Sequence, residues 1–127
     1  MISLRRMPSE AREHLDLSGE YRRAGIVGGF HAAEHMRLAG DSYKGHGQPD
    51  KADKIYRKAV EMFLGQIRKL EKLGSAIPGN PYENTVGSCR NGIYKAIAQI
   101  SEPTPEELSM VESFRARQSG LSGSRRS

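Results

Sequence analysis

The pattern in this sequence that is best suited to chemistry is the five-residue segment His31-Ala32-Ala33-Glu34-His35. If the segment is helical, His31 and His35 lie one turn apart on the same face, where two imidazole nitrogens can share one zinc ion. Glu34 would stand beside them as a general base toward a metal-bound water. The segment therefore predicts, as one alternative, a zinc site with hydrolytic activity.

The spacing H-x-x-E-H resembles the signature of the inverzincin metallopeptidases. That resemblance implies a third zinc ligand from a glutamate far downstream, and Glu112 stands at a suitable separation. The catalytic domain of that family is much larger and contains a sheet, whereas no segment of this chain alternates like a strand. We therefore favour histidines that are partly buried between two helices, without a cofactor, and keep zinc as the alternative.

The only cysteine offers little support for nucleophilic catalysis. Cys89 lies on an apolar stripe between Val86 and Ile93, and no histidine is near it in the sequence. A cysteine in such a position is typical of a hydrophobic core, where the thiol stays unreactive. Apart from the zinc alternative, we expect a protein that is not an enzyme.

The composition describes a small, basic and rather polar chain. It has 127 residues, a formal net charge of +5, a pI near 9.6 and a mean hydropathy of -0.64. This length fits one domain. A single cysteine excludes an internal disulfide and fits a reducing compartment. No apolar run approaches the roughly 20 residues of a membrane span. We expect a soluble, cytoplasmic protein that has no membrane partner.

Apolar periodicity predicts an all-α fold. A helical pattern runs over 20–45, where Gly25, Gly28 and Gly29 indicate a kink, a break or the close approach of another backbone. A second long helix is predicted over 49–73, joined to the first by the Gly/Pro turn at 45–50. A third helix is predicted over 81–100. Short turns between amphipathic helices favour an antiparallel arrangement, so we expect a small antiparallel helical bundle built on three main helices.

Shorter helices are predicted at both ends of this bundle. Ser9 can cap a first helix that ends near Leu17, before an interruption at Ser18-Gly19. Asn80-Pro81 has the form of a cap followed by a proline in the first turn of the third main helix. Thr104-Pro105-Glu106-Glu107 has the form of a capping box that starts a short final helix.

The predicted domain organisation has three parts. Residues 1–8 are expected to form a flexible N-terminus, and residues 9–116 a single helical domain. Residues 117–127 are rich in Ser, Gly and Arg, a composition typical of a disordered basic tail.

The two central helices resemble a tetratricopeptide repeat. In that family a small residue and a glycine are followed by an aromatic residue, as in Ala39-Gly40 and Tyr43, and a glycine such as Gly47 ends the first helix. The second helix matches the family at three positions: Ala52, Tyr56 and Ala59. Small residues allow the helices to approach, and the aromatic rings fill the space between them.

The resemblance covers one repeat. Met36 stands where the family prefers an aromatic residue, and Leu64 where it prefers a proline. The hairpin is also similar to a microtubule-interacting-and-transport domain, which closes such a hairpin with one further helix. Both resemblances imply a non-catalytic module that binds a helical or extended peptide in a groove between helices.

Basic residues recur along the second main helix, opposite its apolar stripe. They are Lys51, Lys54, Lys58, Arg68 and Lys72. Such a row can neutralise the phosphates of a nucleic acid, which is an alternative function, or bind an acidic protein surface.

The interpretation favoured by the sequence is a protein-protein interaction module, either an adaptor or an assembly subunit. The predicted contact surface is a hairpin groove near Tyr43, Tyr56 and Phe63, with Lys54 and Lys58 for an acidic partner. A homodimer is a further alternative, because the small residues Ser88 and Gly92 can admit a helix of a second copy as well as one of the same chain.

Overall fold

The computed structural model of the protein describes residues 7–114, and these residues form helices and turns with no strand among them. Four long helices are α1 (Ser9–Arg23), α2 (Gly29–Gly45), α3 (Pro49–Gly74) and α4 (Glu83–Gln99), and a further helical segment, α5, covers 105–114. A 3-10 turn, Gly25–Gly28, joins α1 to α2. The predicted all-α class is confirmed. Residues 1–6 and the predicted tail 117–127 lie outside the described part.

The helices form an antiparallel bundle in which each packs mainly on its neighbours in the chain. On α2 and α3, Gly40 meets Tyr56 while Gly29 meets Gln66, so rising numbers on one helix face falling numbers on the other. The core combines apolar residues from all four long helices, with the largest share from α3. The predicted small antiparallel bundle is therefore confirmed.

The first helix is longer than predicted. The interruption expected at Ser18-Gly19 is absent, and α1 continues to Arg23. Ser18 is buried, and its hydroxyl donates a 2.7 Å hydrogen bond to the carbonyl oxygen of Ala32 on α2, which offsets the cost of burying it. The chain breaks instead at Gly25, whose φ is +78°, and so the helix predicted over 20–45 is divided.

The turn between α2 and α3 follows its predicted chemistry. Gly47 has a φ of +73°, in the left-handed region that favours glycine, and Pro49 is the first residue of α3. Gly40 lets the two helices approach closely, because a Cβ atom there would lie 2.7 Å from Cε1 of Tyr56. The small and aromatic residues of the hairpin therefore meet as predicted.

The start of α4 differs from the prediction. Asn80 has a φ of 40°, and its side-chain oxygen accepts a 3.3 Å hydrogen bond from the backbone N–H of Tyr82. This interaction closes a turn that includes Pro81, and α4 begins two residues later, at Glu83. The asparagine therefore organises the loop and does not cap the helix.

The capping box predicted before α5 is confirmed by a reciprocal pair of hydrogen bonds. The backbone N–H of Thr104 donates to Oε1 of Glu107 at 2.7 Å, and the backbone N–H of Glu107 donates to Oγ1 of Thr104 at 3.1 Å. Glu107 also accepts a 2.8 Å hydrogen bond from Arg57 of α3, which holds the pKa of Glu107 below its usual range. One carboxylate thus caps α5 and attaches it to the bundle.

Of the small-residue pair predicted on α4, Gly92 is used within the chain. A Cβ atom at Gly92 would lie 2.3 Å from Cζ of Phe63, so Gly92 receives the ring of α3, while Ser88 is exposed. The surface predicted for a homodimer through Gly92 is therefore occupied by the protein's own α3.

We expect Gly92→Ala to lower the free energy of unfolding by about 1–3 kcal/mol, because the buried ring of Phe63 must move to admit the methyl group. Gly87→Ala is the matched control. Gly87 lies in the same helix with nothing within 4 Å of its Cβ position, so this variant should be as stable as the wild type or up to about 1 kcal/mol more stable. Urea unfolding measures both. Equal effects from the two substitutions would contradict the close contact.

Candidate functional site

Three histidines meet where α1 packs on α2. Nδ1 of His14 lies 3.0 Å from Nδ1 of His35, and the two rings are stacked. Tyr21 stacks on His35 on the same contact and lies against His31, with ring centroids 5.5 Å and 5.0 Å apart. His35 is thus partly buried at a contact between helices, as the favoured interpretation predicted, whereas His31 is exposed. His14 was missed because its position relative to α2 depends on the pairing of two separate helices.

The four residues predicted for the zinc alternative are not brought together. Among residues 7–114, no group of three or more His, Cys, Asp and Glu side chains is placed to hold a metal ion. Glu34 accepts a 2.9 Å hydrogen bond from Arg37 on the same helix. His31 and His35 belong to the first half of α2, which lies beside the end of α3, whereas Glu112 belongs to α5, attached near the start of α3.

The surroundings of His35 disfavour its protonated form. Burial lowers its pKa from 6.5, and the neighbouring His14 and His31 lower it further, while Glu34 acts in the opposite direction. Two Nδ1 atoms at 3.0 Å can share one proton, with one ring as donor and the other as acceptor. If both atoms carry protons, they repel each other. The hydrogen bond between His14 and His35 therefore requires that at least one of the two Nδ1 atoms carries no proton.

The aromatic residues predicted to line a partner groove are in the core, and this prediction is wrong for the described structure. Tyr43, Tyr56 and Phe63 are 2%, 0% and 0% exposed. The rings of Tyr56 and Phe63 fill the space left by Gly40 of α2 and Gly92 of α4, and Tyr43 is buried beside them in the core, so a partner has no access to these rings. The hydroxyl of Tyr56 donates a hydrogen bond to Asp41, and burial, followed by this bond, raises the pKa of Tyr56.

The basic residues of α3, in contrast, lie on the surface. We call the exposed residues of the predicted row the cationic face: Lys51, Lys54, Lys58, Arg68 and Lys72. None of them forms an ion pair with another residue in 7–114, whereas the flanking Arg57 is bound to Glu107. Over 51–72 the face extends for about 32 Å, from the helical rise of about 1.5 Å per residue. Lys54 and Lys58 thus remain available to a partner.

The cysteine is sealed in the core, as predicted. Cys89 is 0% exposed, and burial raises the pKa of its thiol to about 11. At neutral pH the thiol is therefore protonated and out of reach of a substrate.

Comparisons of the chain with known protein families, with curated proteins and with solved structures find no match. The resemblance of the hairpin to a tetratricopeptide repeat or to a microtubule-interacting-and-transport domain therefore stays a prediction from its residues. Within residues 7–114, none of the helices combines the length and the hydropathy that crossing a bilayer requires.

We expect the free energy of unfolding to fall as the pH is lowered from about 7.5 to about 5.5. The pKa of His35 is lower in the folded protein than its ordinary value of 6.5, so the unfolded chain binds more protons in this range and acid favours unfolding. His35→Gln removes this titration and should show a weaker dependence on pH. Urea unfolding at several pH values measures it.

Wild type and His35→Gln can be compared if their unfolding free energies depend on urea concentration with the same slope, because an equal slope indicates that the substitution leaves the unfolded state unchanged. The chosen pH range lies above the titration of ordinary carboxylates, which would otherwise contribute. Equal pH dependence in wild type and His35→Gln would show that the histidine contact does not control the stability of α1 on α2.

Proposed function

We propose that this protein is a non-catalytic interaction module that binds an acidic partner protein through the cationic face of α3. The observation that carries the proposal is the row of exposed basic side chains without a carboxylate partner among the described residues. The aromatic hairpin groove has no part in it, because those rings are buried. The hairpin instead serves as the scaffold.

The helix that carries this face is held from both sides. Gly40 of α2 and Gly92 of α4 receive the rings of Tyr56 and Phe63, so α3 is the central helix of the bundle. A rigid helix presents charges at constant spacing, and Lys54 and Lys58 lie one turn apart on it. An acidic helix of a partner could pair with such a row over several turns, which supports an adaptor or assembly function.

A feature within the face favours a protein partner over a nucleic acid. Glu61 is exposed between Lys58 and Arg68, and it forms no ion pair with another described residue. A nucleic acid would bring a phosphate near this carboxylate, which is unfavourable. A partner protein can place a lysine or arginine opposite Glu61 and acidic residues opposite the lysines. A protein surface with both signs of charge therefore fits the cationic face better than a nucleic acid does. Nucleic acid is therefore the alternative outcome of the same experiment.

We expect Lys54→Glu with Lys58→Glu to weaken partner binding about tenfold or more, since two attractive contacts become repulsive. The control is Arg12→Glu with Lys95→Glu, which changes the net charge equally at exposed positions on α1 and α4. Wild type and both variants are used as baits in lysate of the native host, with and without nuclease. Proteins retained by wild type and control, but lost by the α3 variant, are then expressed and titrated across a salt series.

Binding of a purified acidic protein that weakens with salt and with the α3 substitutions supports the proposal. If retention disappears for all baits after nuclease treatment, the protein binds nucleic acid and the proposal is wrong. Equal retention by wild type and the Lys54→Glu, Lys58→Glu variant would show that the cationic face is not the contact surface.

A further inference from the structure

An open cleft of about 360 Å³ lies between the bend that joins α1 to α2 and the second half of α3. We call it the elbow cleft. Its lining includes Arg22, Ile26, Met62, Gly65, Gln66 and Lys69. Its volume falls in the lower part of the range of small-molecule sites, about 300–1,000 Å³. It therefore suits a small ligand better than a helix of another protein.

The cleft has positive charge from two different helices. Arg22 is near the end of α1 and Lys69 is on α3, and both side chains are exposed. Neither forms an ion pair with a residue in 7–114, and no acidic residue lines the cleft within this part of the chain. A concave surface lined by charge of one sign attracts ligands of the opposite sign. The charge of the cleft therefore favours an anion over a cation.

A buried amide forms part of the lining. Gln66 is 5% exposed, and its Nε2 donates a 2.9 Å hydrogen bond to the carbonyl oxygen of Ile26, which fixes the amide against the bend. Gly29 allows the amide of Gln66 to lie directly on the backbone of α2, because a Cβ atom at Gly29 would lie 1.9 Å from Oε1 of Gln66. An amide NH₂ carries two donors, and the bond to Ile26 uses one of them.

Gly65 has no structural need to be glycine. It lies in the interior of α3, where glycine is unfavourable, and nothing comes within 4 Å of its Cβ position. An alanine at this position would therefore suit the helix, but it would extend into the space of the cleft. Because Gly65 has no side chain, this part of the cleft stays open to a ligand.

We propose that the elbow cleft binds a small organic anion. Arg22 and Lys69 pair with its carboxylate or phosphate group, while Ile26 and Met62 contact its apolar part. Ile26 is 38% exposed beside the two cations, so one ligand of modest size can reach both kinds of contact. This site is separate from Lys54 and Lys58, which do not line the cleft, and it does not depend on the proposed protein partner.

The site is tested by titrating the ¹⁵N-labelled protein with phenyl phosphate and, separately, with benzoate, which distinguishes the two anionic groups. Benzyl alcohol supplies the ring without charge, and inorganic phosphate supplies the charge without the ring. We expect saturable shifts at the backbone amides of Gly25 and Gly65 and at the side-chain amide of Gln66. At least one of the two aromatic anions should bind about tenfold more tightly than benzyl alcohol and inorganic phosphate.

Two variants test whether the anion binds in the elbow cleft. Gly65→Leu places a side chain in the cleft at a position where the protein has room, and it should weaken binding of the tighter aromatic anion about tenfold or more. Gly87→Leu is the control, since Gly87 is also a helix residue with nothing near its Cβ position and does not line the cleft. Arg22→Gln with Lys69→Gln should reduce affinity for the anion to that for benzyl alcohol. Circular dichroism checks that each variant folds.

The proposal is overturned if neither aromatic anion gives saturable shifts, or if the shifts centre on Lys54 and Lys58, which would indicate general attraction to the cationic face. Undiminished binding by folded Gly65→Leu also overturns it. If Gly65→Leu does not fold, the double glutamine variant decides, because Arg22 and Lys69 are exposed and their replacement does not disturb the core. Loss of the preference for the anion in that variant supports the site, and its retention overturns it.

Discussion

The rings of Tyr56 and Phe63 lie directly on the backbone of the neighbouring helices, the first on Gly40 of α2 and the second on Gly92 of α4. Both rings belong to α3, and both are completely buried. Because dispersion contacts are short-ranged, the rings contribute most when no side chain separates them from the facing helix. Helix α3 thus becomes the centre of the bundle, and the positions of α2 and α4 follow from it.

This central position also explains where the charges lie. Two sides of α3 are covered by its neighbours, so its basic residues lie on the remaining outer side. Arg57, at the edge of this side, is bound by Glu107 and holds α5 in place. Lys69, nearer the bend, faces the cleft beside Arg22. The basic residues of α3 thus have three positions: Arg57 in an ion pair with α5, Lys69 at the cleft, and the cationic face on the surface.

Features that depend on neighbouring residues could be predicted from the sequence. The period of α3, the Gly/Pro turn at 45–50 and the capping box of Thr104 and Glu107 each depend on residues that are close together in the sequence. The length of α1 could not be predicted, because the hydroxyl of Ser18 finds its acceptor on Ala32, fourteen residues away. The local pattern at Ser18-Gly19 indicates a break, and the tertiary contact overrides it.

The candidate sites show the same limit. An aromatic residue on a small-residue stripe fits a groove or a core equally well, and only the position of α4 shows that Phe63 is covered. The pair of His14 and His35 depends on how α1 lies along α2, which neither helix specifies alone. The elbow cleft requires Arg22 and Lys69 to come together across 47 positions of the chain. The basic row on α3 can be predicted from the sequence, because it depends only on the period of a single helix.

Each helix has its main contacts with the helix before it and the helix after it in the chain. The ordering entropy of closing long loops is therefore small, and the contact order of the fold is low. Chains of this kind fold rapidly, on a scale of microseconds to milliseconds. The pairing of α1 with α2 and of α2 with α3 can also begin while later helices are still being synthesised, since neither pair requires α4. The succession of helices along the chain thus also provides an order in which the bundle can assemble.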